Sequence, residues 1–547
     1  MRKWFVFVLV IMMLMNVMFT TGCTSKDKGG SNEDAVVSGE TSTEESSEEV
    51  SPKEYEPDEI VEIEFMRFDP SWDPIEWGED PVTREITKRT GVRLKCLAPS
   101  GEGDQVANVM LLSGDYPEII NGYSLSMYAK YVAAGALWSF DELCEKYNYP
   151  EILDGTRIPK ASIAVHRSPD GKLYGIPEWF SEDGFGSVGQ SLCARNDIYK
   201  ELGQPNFKTM DEFYEALKTI RDSYATYKGV KMWPLAIHWM DTAMLGDVAN
   251  IYGANIYRFI YYNENTKKVE LFLRAPELVK AVQFLNICYN EKLLDPECFT
   301  FDSTQMTEAY STGKYAFIFT WFWNLWTPEA ILTAEDPEQY YVAIDIPQGT
   351  PGKQQYFGYI HTGGDLGVSI TKNCKNLEAA IRFIDFCLSD EGQILDFYGV
   401  EGETMEFRDG VPYLLEGVYE AKLADWSGYG KKTGVRLWDR MKNQKWNWER
   451  QVEAPQRAAN RAMSAKYAFD ATFLKALQVD STTPEGILYA EIETNIIPQL
   501  TEIIVDSKPT EIESKIQELL KYYESKGLSA LEDAWTEHYN RIINAIE

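Results

Sequence analysis

Residues 315–326 of the chain, YAFIFTWFWNLW, combine a strand-like pattern with three tryptophans, Trp321, Trp323 and Trp326. Alternation along a strand would place Phe317, Phe319, Trp321 and Trp323 on one face and Ile318, Thr320 and Phe322 on the other. A buried strand needs apolar side chains, so the earlier residues are expected in the core, and Asn324 and Trp326 in a loop. An indole ring left exposed can cover the apolar C–H face of a sugar while nearby carboxylates or amides bind its hydroxyl groups.

Three further groups pair tryptophan with a carboxylate where a predicted strand ends. They are Trp72, Asp73 and Trp77 after the first strand, Trp179 and Glu182 after the strand ending at Pro177, and Trp239 and Asp241 after the run PLAIHW. We expect these residues to contact a ligand, with burial inside a lobe as the alternative for each tryptophan.

One histidine and a second tryptophan group are also candidates. His361 lies beside Gly363 and Gly364, and its ordinary pKa of about 6.5 predicts a neutral ring that only forms hydrogen bonds. Trp438, Trp446 and Trp448 lie in a basic, aromatic stretch. Packing within a lobe is the favoured interpretation for these three, with the rim of a cleft as the alternative.

The chain contains no motif that predicts catalysis. Residues 184–189 satisfy GxGxxG, but no strand precedes them and residues 191–195 resemble a strand rather than a helix, so a dinucleotide site is not predicted. We interpret this segment as a mobile loop of the cleft. There is no GxSxG, HExxH or Walker A motif, and the 4 histidines are scattered. We therefore predict no catalytic residues, no metal and no cofactor.

Size and charge limit the possible partners. A chain of 547 residues exceeds what one hydrophobic core serves, so two or more lobes are expected. The net charge of −32 argues against nucleic acid and anionic membrane surfaces, which both require clustered Lys and Arg. No CxxC pair occurs among the 8 cysteines, and Cys288 and Cys387 lie in apolar runs, which favours buried free thiols over disulfides.

The first residues predict export and anchoring. Arg2 and Lys3 precede an apolar run that is too short to span a bilayer, so residues 1–22 are predicted to be a signal peptide. Gly22-Cys23 resembles a bacterial lipobox, in which the cysteine is diacylated, although Thr20 replaces the usual leucine. Residues 23–57 then form a lipidated cysteine and a disordered acidic tether. The expected location is outside the cytoplasm, on the outer face of the cell membrane.

Periodicity predicts alternating strands and helices. Val61, Ile63 and Phe65 alternate with charged residues as in a strand; residues 81–90 favour a helix closed by Gly91, and residues 92–96 the next strand. Later elements have the same character: a capping box opens a helix at Thr209, Asn376 caps another, and amphipathic helices cover about 511–525 and 531–546. The pattern indicates an α/β fold.

Several stretches, in order, resemble the extracellular solute-binding proteins of ABC importers, family 1, which include maltodextrin and alginate oligosaccharide binders. The motifs are SGDYPEI at 113–119, DGKLYGIP at 170–177, ARND at 194–197, GKYAF at 313–317, GGDLGVSIT at 363–371 and EAAIRFIDFCLSDEGQ at 378–393. The resemblance extends over most of the middle of the chain. Many relatives carry a calcium loop after the helix that Thr209 begins, but residues 222–229 lack its alternating oxygen ligands, so no calcium is predicted there.

The resemblance implies a two-lobed periplasmic-binding-protein-like fold of type II, with the ligand in the cleft and the lobes closing by a hinge. Lobe 1 would comprise 58–176 plus about 362–405, and lobe 2 would comprise 177–361 plus about 406–547. Trp323 matches the position of a sugar-stacking aromatic residue in maltodextrin-type binders. The implied partners are an oligosaccharide and ABC permease subunits; a membrane is contacted through the lipid anchor only, and we expect a monomer.

Two other functions remain open from the sequence. A surface glycoside hydrolase would need only two carboxylates about 5 to 10 Å apart, and 85 acidic residues could conceal such a pair. A binder of a non-sugar solute on the same fold would need fewer aromatic platforms.

Overall fold

The structure is a computed structural model that describes residues 55–56, 59–69, 72–182, 184, 188–239, 242–364, 366–452, 454–477, 479 and 482–546. All of them belong to one compact unit, Lys53–Glu547. The predicted signal peptide, Cys23 and most of the predicted tether lie outside the described residues and stay predictions. None of the described helices combines the length and apolar character needed to span a bilayer.

Twenty strands are described. In chain order they are β1 Val61–Arg67, β2 Val92–Leu97, β3 Ile119–Asn121, β4 Ile176–Pro177, β5 Trp179–Phe180, β6 Gln190–Arg195, β7 Thr226–Tyr227, β8 Val230–Lys231, β9 Trp233–Ile237, β10 Ile256–Tyr257, β11 Ile260–Asn263, β12 Lys268–Leu271, β13 Tyr315–Trp321, β14 Tyr341–Ala343, β15 Tyr359–Ile360, β16 Leu366–Ile370, β17 Met405–Arg408, β18 Val411–Leu414, β19 Lys442–Asn443 and β20 Phe469–Asp470.

The α-helices connect and cover these strands. They are α1 Pro81–Thr90, α2 Gly103–Ser113, α3 Leu125–Ala133, α4 Phe140–Tyr147, α5 Lys160–His166, α6 Asn196–Glu201, α7 Met210–Ser223, α8 Thr242–Asn250, α9 Pro276–Asn290, α10 Ser303–Ser311, α11 Trp326–Glu335, α12 Leu377–Leu388, α13 Asp390–Tyr398, α14 Val418–Ala424, α15 Trp426–Thr433, α16 Glu449–Val452, α17 Pro455–Tyr467, α18 Thr472–Lys475, α19 Pro484–Asp506, α20 Ile512–Ser525 and α21 Leu528–Ile546.

The first large sheet has the strand order β2-β1-β3-β16-β4. Strands β1, β2 and β3 are parallel, and β16 returns from much later in the chain to run antiparallel between β3 and β4. Helices cover both faces: Ile119 belongs to one apolar cluster and its neighbour Ile120 to another, as the two-residue period of a strand requires. This sheet is the centre of the first lobe.

The second large sheet has the order β14-β6-β13-β9. Strand β13 is parallel to β9 and antiparallel to β6, and β6 is antiparallel to β14. One continuous apolar cluster surrounds this sheet and includes α19, α20 and α21 near the end of the chain. The two sheets confirm the predicted α/β class.

The residue limits of the two lobes remain predictions, but the structure shows to which core one segment belongs. Trp438 and Met441, which the sequence assigned to the second lobe, belong to the apolar cluster of the first sheet. Trp438 packs against Trp77 with ring centroids 5.7 Å apart and against Phe383 at 5.6 Å. Residues beyond 405 therefore contribute to the first core.

The chain passes between the two sheets at paired strands. Strand β5 pairs with β19, and β15 pairs with β20. A second region of contact lies at α5, where Ala164 and Val165 pack against Ala476 and Ile542 of α21. Both lobes therefore consist of segments that are discontinuous in sequence.

Local predictions agree closely with the structure. Helix α1 begins and ends as predicted, because the Asp80 side chain accepts from the Thr83 N–H and Gly91 adopts φ 65° after the last turn. The strand predicted at 92–96 is β2. The helices predicted at about 511–525 and 531–546 are α20 and α21, the latter beginning three residues earlier, at Leu528.

Two helix caps differ from their predictions. At α7 the Thr209 hydroxyl accepts from the Glu212 N–H at 3.2 Å, but the Glu212 carboxylate accepts from the Lys208 N–H rather than from that of Thr209. The capping box is therefore only half formed. At α12 Asn376 occupies the N-cap position, yet its side chain accepts no capping hydrogen bond, so the prediction of an Asn376 side-chain cap is wrong.

Replacing Thr209 by alanine should lower the free energy of unfolding by about 1 kcal/mol, because the Glu212 N–H loses its acceptor. Asn376→Ala is the matched control, with an expected change within about 0.5 kcal/mol since no cap bond is lost. Urea denaturation of the two variants measures both values. Equal destabilisation by the two substitutions would contradict this account of the caps.

Strand β13 confirms the expectation that the earlier residues of the stretch 315–326 lie in the core, but it ends before Trp323. Every side chain from Tyr315 to Thr320 is buried, because the strand is central in its sheet and has helices on both faces. The strand ends at Trp321, and residues Phe322–Leu325 form a 3₁₀ turn. Trp323 therefore does not share a strand face with Phe317 and Phe319, and Trp326 opens helix α11 rather than a loop.

Candidate functional site

A pocket of about 370 Å³ lies beside the turn that follows β13. It is lined by Trp323, Trp326, Arg436, Gln444, Asn447, Glu449 and Arg461. Trp323 and Trp326 follow a strand of the second sheet, whereas the residues from 436 to 449 flank Trp438 and Met441 of the first core. The pocket therefore lies between side chains of the two lobes, where a solute can contact both.

The Trp323 ring is held by backbone contacts beneath it. The Phe322 N–H donates to the Gly189 carbonyl oxygen at 2.9 Å, which fixes the 3₁₀ turn against the start of β6. The ring lies so close to Gly189 that a Cβ at that position would overlap it. Trp323 nevertheless retains 36% exposure. One face of the indole is thus supported by the backbone and the remainder is available to a ligand.

Polar side chains support the same turn. Asn324 Nδ2 lies 3.3 Å from both His238 Nδ1 and Thr320 Oγ1. His238 also makes an edge contact with the half-buried Trp321 ring at a centroid distance of 4.9 Å. Since β9 and β13 are parallel, their carboxyl ends meet at one edge of the sheet, and this edge positions the turn.

The opposite wall is a connected set of amides and carboxylates. Asn447 Nδ2 donates to Gln444 Oε1 at 3.0 Å and to Glu449 Oε2 at 3.2 Å. Arg436 donates to Glu449 Oε1 at 3.0 Å. These bonds orient the side chains before any solute arrives, and the oxygens that remain can accept hydrogen bonds from hydroxyl groups.

The segment that carries Arg436 has a strained backbone. Arg436, Asp439 and Met441 have φ values of 49°, 46° and 54°, in the left-handed region that non-glycine residues rarely adopt. The buried rings of Trp438 and Trp448 and the ion pair between Arg436 and Asp439 hold this conformation. Such strain persists only where surrounding contacts over-determine it, and it concentrates at functional sites.

A second polar cluster lies at the carboxyl ends of the strands of the first sheet. Arg67, the last residue of β1, donates to Asp69, to Asn121 at the end of β3, and to Glu178 after β4, at 3.1–3.3 Å. Arg440 lies 3.5 Å from the same Glu178 oxygen. Burial, together with the neighbouring charge of Arg67, lowers the pKa of Arg440. The carboxyl ends of strands in open α/β sheets are where ligands bind.

Aromatic rings line the crossing strands. The Trp179 and His361 rings are 5.1 Å apart and tilted by 33°, and Tyr359 stacks on the other side of His361 at 6.0 Å. Gly364 lies directly against Trp179, where a Cβ would overlap the indole. Burial, and then the nearby Lys475 charge, lowers the pKa of His361 well below its usual value. A neutral His361 was predicted, and its ring forms a 2.7 Å hydrogen bond with the Gly363 carbonyl oxygen.

The other tryptophans named from the sequence are placed in cores. Trp77 is buried and donates to Thr87, and Trp239 is buried and donates to Thr501 at 2.8 Å. Trp72 packs on Phe65 at the margin of the first core. We leave these three out of the proposed site, because their rings are occupied by protein contacts.

The carboxylates named from the sequence are not brought together. Asp73 is exposed and forms an ion pair with Lys431. Glu182 is exposed on the loop after β5. Asp241 and part of the 184–189 loop lie outside the described residues, so predictions about them remain untested.

No prediction from the sequence named the polar residues of the site. At the pocket they are Arg436, Gln444, Asn447, Glu449 and Arg461, and at the carboxyl ends of the first sheet they are Arg67, Glu178 and Arg440. Their types are common on protein surfaces and no motif distinguishes them. The one available signal was the basic, aromatic stretch around Trp438, Trp446 and Trp448, and its tryptophans proved to be buried or, for Trp446, half-buried and bonded to Asp390.

Glu329 of α11 lies where helix α17 packs on the second sheet. Its carboxylate accepts from the Tyr341 N–H at 2.8 Å and from Gln456 Nε2 at 3.4 Å. Arg457 of the same helix lies over the Trp326 ring at 4.4 Å. Burial raises the pKa of Glu329 to about 7.

The raised pKa of Glu329 predicts a loss of stability as pH rises from about 4.5 to about 7, because in that interval only the unfolded state releases the proton. Glu329→Gln should remove this contribution and raise the free energy of unfolding at pH 8 by on the order of 1–2 kcal/mol. Urea denaturation at several pH values measures the difference. Glu335→Gln, on the exposed side of the same helix, is the control; a Glu329→Gln variant with the parental pH profile would refute the assignment.

The described cysteines agree with the prediction of free thiols. All seven described cysteines are free, and Cys288 and Cys387 are buried, which confirms the prediction of free thiols. Residues 226–231 form the hairpin of β7 and β8, and Asp222 pairs with Arg221 at 2.7 Å. Within the described ranges no group of three or more His, Cys, Asp or Glu could hold a metal ion.

Comparison with known proteins supports the relationship inferred from the motifs. The chain is 26% identical over 352 residues to Lipoprotein LipO of Bacillus subtilis, an alignment covering 62% of this chain and 66% of LipO. It is 22% identical over 363 residues to the fructooligosaccharide ABC transporter substrate-binding protein FusA of Streptococcus pneumoniae, covering 63% of this chain and 64% of FusA. The chain thus spans just under two thirds of the length of these curated relatives.

Solved structures have the same fold. FusA in complex with kestose superposes with a TM-score of 0.67 at 18% identity, covering 89% of this chain and 100% of that one. The alginate-binding protein AlgQ2 without calcium ion gives 0.60 at 21% identity, covering 88% and 98%. These matches confirm the two-lobed solute-binding fold.

A family model matches more than half of the chain, which is enough to assign the family. Residues 76–394 match the family model described as bacterial extracellular solute-binding protein, a span that includes most of both sheets and the Trp323 turn. The chain belongs to the family of bacterial extracellular solute-binding proteins.

Proposed function

We propose that this protein captures an oligosaccharide between its lobes and delivers it to the permease of an ABC importer. The observation that carries the proposal is the Trp323 indole, which is supported on one face by Gly189 and borders a pocket rimmed by Gln444, Asn447 and Glu449. A sugar ring requires this combination, because it has an apolar C–H face and a rim of hydroxyl groups.

The crossing strands offer a second platform. The half-buried Trp179 ring lies beside Glu178, whose carboxylate belongs to the cluster with Arg67 and Arg440. A chain of several sugars would extend from Trp323 towards Trp179. His361, which packs on Trp179, positions that ring, and Trp321 and Trp326 flank Trp323 on either side of its turn.

Capture would proceed by hinge closure. A ligand bound first to one wall gains the contacts of the other only when the lobes approach, so binding shifts the population towards the closed form. The permease would then distinguish the loaded protein from the empty one. Small-angle X-ray scattering with and without ligand measures the expected compaction, and an unchanged radius of gyration at saturation would contradict closure.

Relatives named as transport components support the permease partnership. FusA is named as an ABC transporter substrate-binding protein, and LipO as a lipoprotein. We extend both properties to this chain: diacylation of Cys23 would moor it to the membrane, since two acyl chains hold firmly where one does not. Mass spectrometry of the mature N-terminus tests the anchor, and an unmodified Cys23 would remove it.

Thermal unfolding with a panel of oligosaccharides tests the central proposal. A binder gains stability with the logarithm of ligand concentration above the Kd and leaves the oligosaccharide intact. Chromatography of the same samples detects cleavage; multiple turnovers of product would favour the glycoside hydrolase alternative. Stabilisation by a non-sugar solute in place of any glycan would favour the third candidate.

A further inference from the structure

Three arginines of the proposed site lie in two ion-paired clusters. In the first cluster Arg67 pairs with Asp69 and Glu178, and Arg440 pairs with the same Glu178. In the second cluster Arg436 pairs with Glu449 and Asp439. Each guanidinium in these clusters therefore already has a carboxylate partner supplied by the protein.

In every cluster the arginine is the buried member. The Arg67, Arg440 and Arg436 side chains are 18%, 10% and 9% exposed. Their carboxylate partners are more accessible: 31% for Asp69 and for Glu178, and 39% for Glu449. Asp439 is 19% exposed, so in each pair the carboxylate side chain has the larger exposed fraction.

The remaining arginine at the pocket also has a contact within the protein. The Arg461 guanidinium lies 5.4 Å from the centre of the Phe322 ring. It packs on the aromatic turn that supports Trp323, so it is partly desolvated by the protein itself. Placing a ligand carboxylate there would still bring that charge near Glu449, which lines the same pocket.

The carboxylates of these clusters favour a ligand that donates hydrogen bonds over a ligand that carries negative charge. An ionised carboxylate accepts hydrogen bonds but donates none, so a sugar hydroxyl matches it whereas a ligand carboxylate or sulfate is repelled. The net charge of −32 adds a long-range repulsion of anions.

We propose that the ligand is a neutral, polyhydroxylated oligosaccharide and that the half-buried carboxylates Asp69, Glu178 and Glu449 reject uronate-containing and sulfated glycans. This inference rests on the proposed function and narrows it to one charge class. The solved relatives do not decide the question, because one was crystallised with kestose and another is named for alginate binding.

Calorimetric titration with a matched pair of trisaccharides tests the inference. β-1,4-Mannotriose and β-1,4-trimannuronate differ only in the carboxylates at C6; 1-kestose and maltotriose extend the neutral set. At least one neutral trisaccharide should bind, and its affinity should change by less than about twofold between about 0.05 and about 0.5 M sodium chloride. Trimannuronate should bind at least about tenfold more weakly than the best neutral ligand.

Variants test the role of the carboxylates. Glu449→Gln keeps the size and one acceptor but removes the charge, and should strengthen trimannuronate binding by about threefold while the affinity of the best neutral ligand changes less. Asp69→Asn should likewise strengthen trimannuronate binding. It provides a second test if Glu449→Gln fails to fold. Glu308→Gln, an exposed position on α10, should change neither affinity.

The outcomes separate the inference from the function on which it rests. Tighter binding of trimannuronate than of every neutral trisaccharide, with an affinity that falls steeply with salt, would overturn the inference and leave oligosaccharide capture intact. Binding of neither class would overturn the proposed function and this inference with it.

Discussion

Replacing Trp323 by alanine should weaken binding of the oligosaccharide about tenfold, which corresponds to roughly 1.4 kcal/mol. The exposed indole face supplies both apolar area and the ring that packs on sugar C–H groups, and alanine supplies neither. Calorimetric titration with the best ligand of the panel measures the loss. Thermal unfolding of the free protein, measured in parallel, separates this loss from the stability lost with the buried part of the ring, which is 36% exposed.

Two further variants separate the ring from its position. Trp323→Phe keeps an aromatic face and should recover part of the affinity. Gly189→Ala leaves Trp323 in the chain but forces its ring off the backbone beneath it, because the added Cβ would overlap the indole. The Gly189 variant should therefore lose affinity without any direct change to the pocket lining. Full affinity in both Trp323→Ala and Gly189→Ala would show that Trp323 is not the platform.

Replacing Asp197 by alanine should lower the free energy of unfolding by about 3–5 kcal/mol, the cost of leaving a buried charge without its partner. Arg195 and Asp197 are 1% and 4% exposed and form two hydrogen bonds, at 2.8 and 3.3 Å. Arg195 also donates to the Gly313 carbonyl oxygen, which ties β6 to the turn before β13. Urea denaturation measures the change.

An exposed ion pair of the same lobe is the control. Arg221 and Asp222 pair at 2.7 Å with side chains that are 32% and 59% exposed, so Asp222→Ala should cost at most about 1 kcal/mol. The comparison isolates burial as the cause of the difference. Similar losses in the two variants would contradict this reasoning.

The buried pair of Arg195 and Asp197 also explains two of the sequence motifs. The motif ARND supplies both members of the pair, and GKYAF begins with Gly313, whose carbonyl oxygen accepts a hydrogen bond from Arg195.

The 3₁₀ turn Phe322–Leu325, which follows β13, is a feature that side-chain alternation did not predict. The run from Tyr315 to Trp321 is a strand, as alternation predicts, and its residues up to Thr320 are buried, as expected for the core. The chain then turns within a few residues, because Phe322 bonds Gly189, a partner far away in the sequence. The predicted exposure of Trp323 agrees with the structure even though the predicted strand geometry does not.

The tryptophans illustrate the same limit in another way. Three of the predicted binding residues, Trp72, Trp77 and Trp239, follow strand ends, where ligand-binding loops are expected. The structure packs them into or against the cores. A tryptophan after a strand reaches solvent or core depending on which helix covers that strand end. Trp77, for example, packs against Trp438, which is too far away in the sequence for a local pattern to predict the contact.

The sequence by itself determined the local elements, the α/β class and the family, because helix periods, caps and ordered motifs depend on neighbouring residues. It also predicted Trp323 as a binding residue, which stays a prediction. Only the tertiary structure decided which polar groups lie near that ring, since Arg436 and Glu449 come from a segment far from Trp323 in the sequence. Their ion pair is less exposed at the guanidinium than at the carboxylate, and no local pattern encodes that difference in burial.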